Sequence, residues 1–410
     1  MSQALKTRAA AFSAPHPFLG LVLLLGLMFL GVGCSSLRRT AVPHPLTRAA
    51  VIPGFPGIRI PMDATEIKAG EVDAWLAPVV RRARGGHGPV TLLALSGGGP
   101  DGAYGAGLMN GWTQAGNRPE FDMVTGISTG SLIAPFAFLG PAYDPTLRQA
   151  YLTISDGRVF RKRSFLGLLF NGISVADSDP LYETILGQFD DQVLAAIAAE
   201  HRKGRRLYVG TTDMDAEALM CWDMGAIAAS GSPGARELFC RVLLASASIP
   251  VAFPPVFFDV EAGGRSYQEM HCDGGCMTQV FGFVFLSRVR ELSGRSAATL
   301  YVVRNEILSA TWEDVRPELV PIGARAINLL LRNQGVGDLY RAYLVSLETG
   351  LDFQLSYIPD GFSYSNRHGQ FDPGYMKALY DLGFDRAVSG EAWTRSAPGT
   401  HLLREGSSHP

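Results

Sequence analysis

The sequence predicts an α/β fold, a three-layer α/β/α sandwich around a mainly parallel central sheet, on two observations. Apolar runs of strand length alternate with helix-patterned stretches across most of the chain, the order that parallel strands and right-handed crossovers require. Of 410 residues, 47% are hydrophobic and 18% charged, enough apolar material for one large core or two modest ones.

Taken in order, "VTLLALS" from Val90 to Ser96 is a continuous apolar strand, and "YGAGLMNGWTQAG" behind it has helical character. "FDMVTGIS" supplies a second strand and "TGSLIAPFAFLG" a second helix. Later strands are expected at Arg206 to Asp213, Pro255 to Val260 and Ala298 to Asn305. Helices such as "LYETILGQF" and "IGARAINLLLRN", the latter within Pro321 to Asn333, lie between or after them. Trp112 and Trp222 read as core or rim residues. The expected organisation is a signal peptide over 1–33, a tether and irregular lead-in over 34–88, and a catalytic core over 89–284. A C-terminal part over 285–396 completes the fold, and 397–410 is a loose tail.

The formal net charge of -2 argues against a nucleic-acid partner, which would need clustered Lys and Arg. Lys6 and Arg8 precede an apolar run, Leu19 to Val32, that is short for a bilayer span of about 20 residues, so the start reads as a targeting segment. It ends in "LGVGCSS", which resembles the lipobox of bacterial lipoproteins. That resemblance implies lipidation of Cys34 after cleavage and, through Ser35, sorting to the outer membrane. Cys221, Cys240, Cys272 and Cys276 remain, an even number compatible with one or two disulfides in an oxidising compartment. Their spacing is not that of a zinc site, and no metal or cofactor is expected.

The stretch "ALSGGGPDGAYGAG" raises the question of what its glycines hold. Gly97, Gly99 and Gly102 satisfy GxGxxG, and Asp122 follows at the spacing of a ribose-binding acid. Asp122, however, precedes the apolar residues of its strand instead of closing them, and Asp101 would put a negative charge in a phosphate loop. A dinucleotide site is therefore rejected. At the end of the second strand stands "GISTG", Gly126, Ser128 and Gly130, in the strand-to-helix context of a nucleophile elbow. Neighbouring parallel strands would bring Gly97, Gly98 and Gly99 to the same sheet edge as Ser128, as an oxyanion hole. Pro100 lacks an N–H, so Gly98 and Gly99 are the preferred donors. For the base, most histidines fall in terminal or polar loop-like stretches, and His271 in "MHCDGGC" lies two residues from Asp273. A carboxylate followed by Gly274 and Gly275 can approach a serine hydroxyl closely, so Asp273 can itself be the base.

The three pieces GGGxxG, GxSxG and DGG, in this order, resemble the patatin-like phospholipases, a family using a Ser-Asp dyad. The resemblance implies that Ser128 is the nucleophile and Asp273 the base that orients it. Two further stretches agree: "LLASASIPVAFPPV", through Ala245, Ser246 and Pro250, and "YVGTTDMD", as a core strand. The likeness covers about Thr91 to Phe281. Asp101 stands where the family usually carries Arg or Lys, and Asp213 is the rival acid.

The expected function is a phospholipase A type acyl hydrolase tethered to a bacterial envelope membrane, with a phospholipid or other acyl ester as substrate. The alternatives are a serine esterase or thioesterase on non-phospholipid acyl groups, which Asp101 favours, and a non-catalytic lipid-binding or partner-binding envelope protein. "GRVFRKRSFLGLLFNG" sets Arg158, Arg161, Lys162 and Arg163 beside Phe165, Leu166, Leu168, Leu169 and Phe170. It reads either as a membrane-contacting segment or as a charged loop entering a buried helix, the second being favoured.

Overall fold

The computed structural model describes residues 39–62, 67–86, 88–162, 174–294, 297–365 and 367–400. Residues 1–33, read above as a signal peptide, Cys34 and residues 163–173 of the basic-apolar stretch lie outside them. In chain order the strands are β1 (Arg59–Pro61), β2 (Val90–Leu95), β3 (Met123–Gly126), β4 (Arg161–Lys162), β5 (Ala176–Asp177) and β6 (Arg206–Asp213). They continue with β7 (Ala218–Asp223), β8 (Val256–Ala262), β9 (Arg265–Asp273), β10 (Ala298–Ile307) and β11 (Asp352–Ile358). All but the small β4–β5 pair join one sheet of order β1-β7-β6-β3-β2-β10-β11, with β9 attached to β6 and β8 to β9. The centre, β6-β3-β2-β10-β11, is parallel.

Residues of β2 alternate between two cores, as the period of a strand requires. Leu93 and Leu95 face one layer, Leu92 and Ala94 the other, and all are buried. The first layer contains α2 (Gly102–Gln114), α3 (Thr129–Leu139), α8 (Ala235–Ser246) and α11 (Pro373–Val388); the second contains α1 (Ala69–Arg84), α9 (Phe283–Ser293) and the later part of α10 (Leu319–Thr349). Between α3 and α8 run α4 (Asp144–Leu152), α5 (Asp179–Gln188), α6 (Asp191–Arg202) and α7 (Met224–Ala229). The three-layer architecture is the one expected. Trp112 and Trp222 are both core residues, 5% and 0% exposed.

Two edges of the chain differ from expectation. Residues 39–88 are not an irregular lead-in: α1 buries Leu76 and Val79 fully, and each such aliphatic side chain stabilises by about 1.5–3 kcal/mol. The sequence hides this helix because Pro78 lies inside it and Arg81, Arg82 and Arg84 crowd its last turn. Upstream, β1 pairs with β7, and Arg59 reaches Glu269 of β9 through two hydrogen bonds. At the other end, Ala397 and Thr400 are buried, and Tyr340 donates to the Pro398 carbonyl, so the chain is packed down to residue 400. Among the described residues no helix is long and apolar enough to cross a membrane.

Two features of this topology position the site. The chain runs from β2 through β3 to β6 in one direction and from β10 to β11 in the other, so the crossovers diverge between β2 and β10, where open α/β sheets bind their ligands. On β6, one edge is covered by β7, and the other is shared: β3 pairs up to Val209, and β9 takes over at Thr211. The end of β9 therefore lands just beyond the end of β3.

Candidate active site

Ser128 is the second residue after β3, and Asp273, the last residue of β9, pairs with Thr211, two residues beyond the partner of Gly126. Both side chains project at the carboxyl edge of the sheet and line one hollow, where the Ser128 hydroxyl is close enough to favour the charged form of the Asp273 carboxyl. Ser128 has φ 54° and ψ -127°, a conformation whose strain costs on the order of 1–3 kcal/mol for a non-glycine residue. Ser246 holds it there, its hydroxyl accepting from the Ser128 N–H at 3.0 Å and donating to the Gly210 carbonyl at 2.8 Å. Gly126 and Gly130 permit the turn by close approach: a Cβ on Gly126 would lie 2.5 Å from the Gly130 carbonyl oxygen, and one on Gly130 2.4 Å from that of Leu95.

Asp273 is buried, and burial raises its pKa to about 7, against the lowering effects of hydrogen bonds from Ser128 and from the Gly275 N–H, the latter at 2.7 Å. Gly274 packs on the Gly210 carbonyl, where a Cβ would come within 2.5 Å. The glycine loop closes the site from the β2 side. Gly97 lies against Ser128, a Cβ there being 3.1 Å from the serine Cβ. Gly98 has φ 149° and Gly99 φ 56°, and Asn305 pins the loop: a Cβ on Gly98 would sit 2.0 Å from the Asn305 carbonyl oxygen. Asn305 also donates to the Ser96 carbonyl at 2.9 Å and accepts from the Gly105 N–H at 3.1 Å. Among the described residues, none accepts from the N–H of Gly98 or Gly99. Gly102, at the start of α2, packs on Thr129.

Asp101 does not face the serine as a free charge. It is half-buried, its carboxylate accepts from the Tyr375 hydroxyl at 2.7 Å, and desolvation lifts its pKa to about 6. It thus ties the loop to α11. Asp213, the rival acid, forms a buried cluster with Glu269 and His271 instead. It accepts from the N–H groups of Asp215 and Ala216, while His271 bonds Thr211 at 2.8 Å and Glu269 at 3.1 Å. The four described cysteines are free thiols, contrary to the expected disulfides, and the sulfurs of Cys272 and Cys276 are 3.7 Å apart.

Ser128 stands where two hollows meet. One is apolar, walled by Leu132, Ile154, Leu181, Ile185, Phe253 and Met376. The other is polar and contains Asp273, Gln279, Arg304, Arg332 and Asp101. Sequence reading missed Gln279, Arg304, Asn305 and Tyr375. The pair Arg304-Asn305 closing an otherwise apolar strand was the available signal, because charge at the carboxyl end of a buried strand needs a reason.

A family model described as patatin-like phospholipase matches residues 93–281, the span holding all three glycine-rich motifs. No curated protein sequence matches the chain. Among solved structures, VipD from Legionella pneumophila is similar at 13% identity and a TM-score of 0.34, over 73% of this chain and 66% of its own. The chain thus covers just under two thirds of that protein.

Proposed function

From the match of residues 93–281 to the patatin-like phospholipase model, we propose that the protein is a serine acyl hydrolase of phospholipase A type. The observation that carries the reading is the strained Ser128 with its hydroxyl on a buried carboxylate of near-neutral pKa. Asp273 takes the Ser128 proton as the serine oxygen attacks an ester carbonyl. The N–H groups of Gly98 and Gly99 hold the developing oxyanion, and the positive end of α3 adds to the field. Collapse expels the alcohol, which receives the proton from Asp273. Water, activated by the same carboxylate, then releases the fatty acid. A base with a pKa near the working pH is effective in both proton transfers.

The apolar hollow suits an acyl chain, since among the described residues no charged one lines it. The proposal includes attachment to a bacterial envelope membrane, by a lipid on Cys34. Fatty-acid release from mixed phospholipid vesicles tests the hydrolase reading. The wild type is expected to release fatty acid and Ser128→Ala to release none; a folded, inactive wild type sinks it.

A further inference from the structure

The polar hollow contains two guanidinium groups whose donors are not all used. Arg304, at the carboxyl end of β10, is 2% exposed. It donates to Gln279 Oε1 at 3.0 Å and pairs with Glu306, while its Nε has no partner. Arg332 of α10 gives one Nη to the Leu308 carbonyl, and its buried Nε is likewise without a partner. Both residues line the hollow that holds Ser128 and the glycine loop. Their positions are fixed: Gly335 lies so close that a Cβ there would be 2.6 Å from Arg304 Nη2.

Two like charges held in one desolvated place repel. Burial, with repulsion from Arg332, lowers the Arg304 pKa to about 10, although Asp338 and Asp101 oppose the shift; the group remains a cation at neutral pH. Of the nearby acids, one pairs with Arg304 and the others are held by different partners. Glu306 is on Arg304 itself, Asp101 on Tyr375, and Asp338 on Thr278 and the Gln279 N–H. Arg325 and Arg367 add positive charge to the same lining, the first paired with Glu313 and the second stacked on Tyr375. On side chains that line a cavity, a buried donor without an acceptor among the described residues is satisfied by a ligand that brings one. Guanidinium forks match phosphate oxygens in geometry and charge.

We propose that Arg304 and Arg332 bind the phosphate of a net-anionic glycerophospholipid whose acyl chain fills the apolar hollow across Ser128. This rests on the reading of Ser128 as an acyl-ester nucleophile, and it assigns the headgroup side of that same site. A headgroup bearing a cationic amine would meet Arg304, Arg325, Arg332 and Arg367 against Asp101, Asp273 and Glu306, a lining with one more cation than acid, and is disfavoured.

The test uses the full chain as Ser128→Ala, which blocks turnover, with binding measured by calorimetry. The probes are dihexanoyl phosphatidylglycerol, dihexanoyl phosphatidylcholine, dihexanoylglycerol and inorganic phosphate. Phosphatidylglycerol is expected to bind at least tenfold more tightly than the other two lipids. That preference should be lost with Arg332→Gln, a half-buried position, and regained in part with Arg332→Lys, with melting curves checking the fold of each. Inorganic phosphate binding as tightly as phosphatidylglycerol would keep the anion site and make free phosphate its ligand. Equal binding of phosphatidylglycerol and dihexanoylglycerol, or a preference untouched by Arg332→Gln, overturns the proposal. Turnover of a neutral aryl ester by the protein with Ser128 intact is read alongside. Anion binding without ester turnover would sink the hydrolase and leave the anion site standing; turnover without lipid discrimination would do the reverse.

Discussion

On one side of Ser128 the wall is hydrocarbon and on the other it carries charge, and the two walls draw mainly on different parts of the chain. Leu132, Ile154, Leu181 and Ile185 belong to the helices and connections between β3 and β6. Arg304 and Arg332 come from β10 and α10, beyond the span that matches the patatin-like family. Aliphatic side chains on helices can be exchanged for others of similar size at modest cost. Buried guanidiniums with fixed partners cannot, so the charged wall is the less tolerant of the two. The family-matched part thus carries Ser128, Asp273 and most of the apolar side, and the remainder of the chain adds Arg304 and Arg332 to the polar side.

The largest break in this comparison removes what both walls share. Asp273→Asn is expected to lower kcat/KM about 10³-fold on every ester, charged or neutral, because no base remains. In the wild type, kcat/KM should rise as pH increases through about 7, where Asp273 loses its proton. Stability runs the other way. A carboxyl whose folded pKa is raised stabilises the fold below its unfolded value near 3.8 and loses that contribution as pH rises through about 7. Asp273→Asn should therefore melt higher than the wild type at pH 8, read by calorimetry, although it is inactive; a lower melting point would contradict the burial argument.

Gly98→Ala attacks the loop between the walls. Its Cβ meets the Asn305 carbonyl oxygen, so the loop must move off the strand, and activity should fall about 10²-fold with loss of an oxyanion donor. On the apolar side alone, Leu132→Phe narrows the hollow. The ratio of long-chain to short-chain ester turnover is expected to drop about tenfold, the worth of a misfit in an apolar pocket. The smallest effect belongs to the charged side: Asp101→Asn removes an acid that interacts with Arg304, and should tighten binding of an anionic lipid only about twofold to fivefold above pH 6. Equal lipid binding by wild type and variant at pH 8 would separate Asp101 from the headgroup side.

Much of this was legible because local chemistry and global fold agree. "VTLLALS" before three glycines and "FDMVTG" before a serine allow little but strand and sharp turn, and Asp273 before two glycines marks a carboxylate in a tight approach. What stayed hidden depends on partners distant in sequence. Asp101 looked like an unwelcome charge until Tyr375, 274 residues away, supplied its hydrogen bond. His271 read as a possible base because nothing in "MHCDGGC" announces that Thr211 and Glu269 hold both ring nitrogens. The helix Ala69–Arg84 was obscured by an internal proline, and α10 runs to 31 residues where its apolar spacing suggested a shorter element.

The hold of the first described residues on the hairpin of β8 and β9 has a mechanical consequence. Arg39 grips Asp215, the Gln268 N–H bonds the Thr40 carbonyl, and Arg59 clasps Glu269, four residues before Asp273. A pull on the N-terminal end of the chain is thus borne first by the strand that presents the carboxylate to Ser128. A force applied at Arg39 or Thr40 would therefore load β9, and with it Asp273, before it loads the helices.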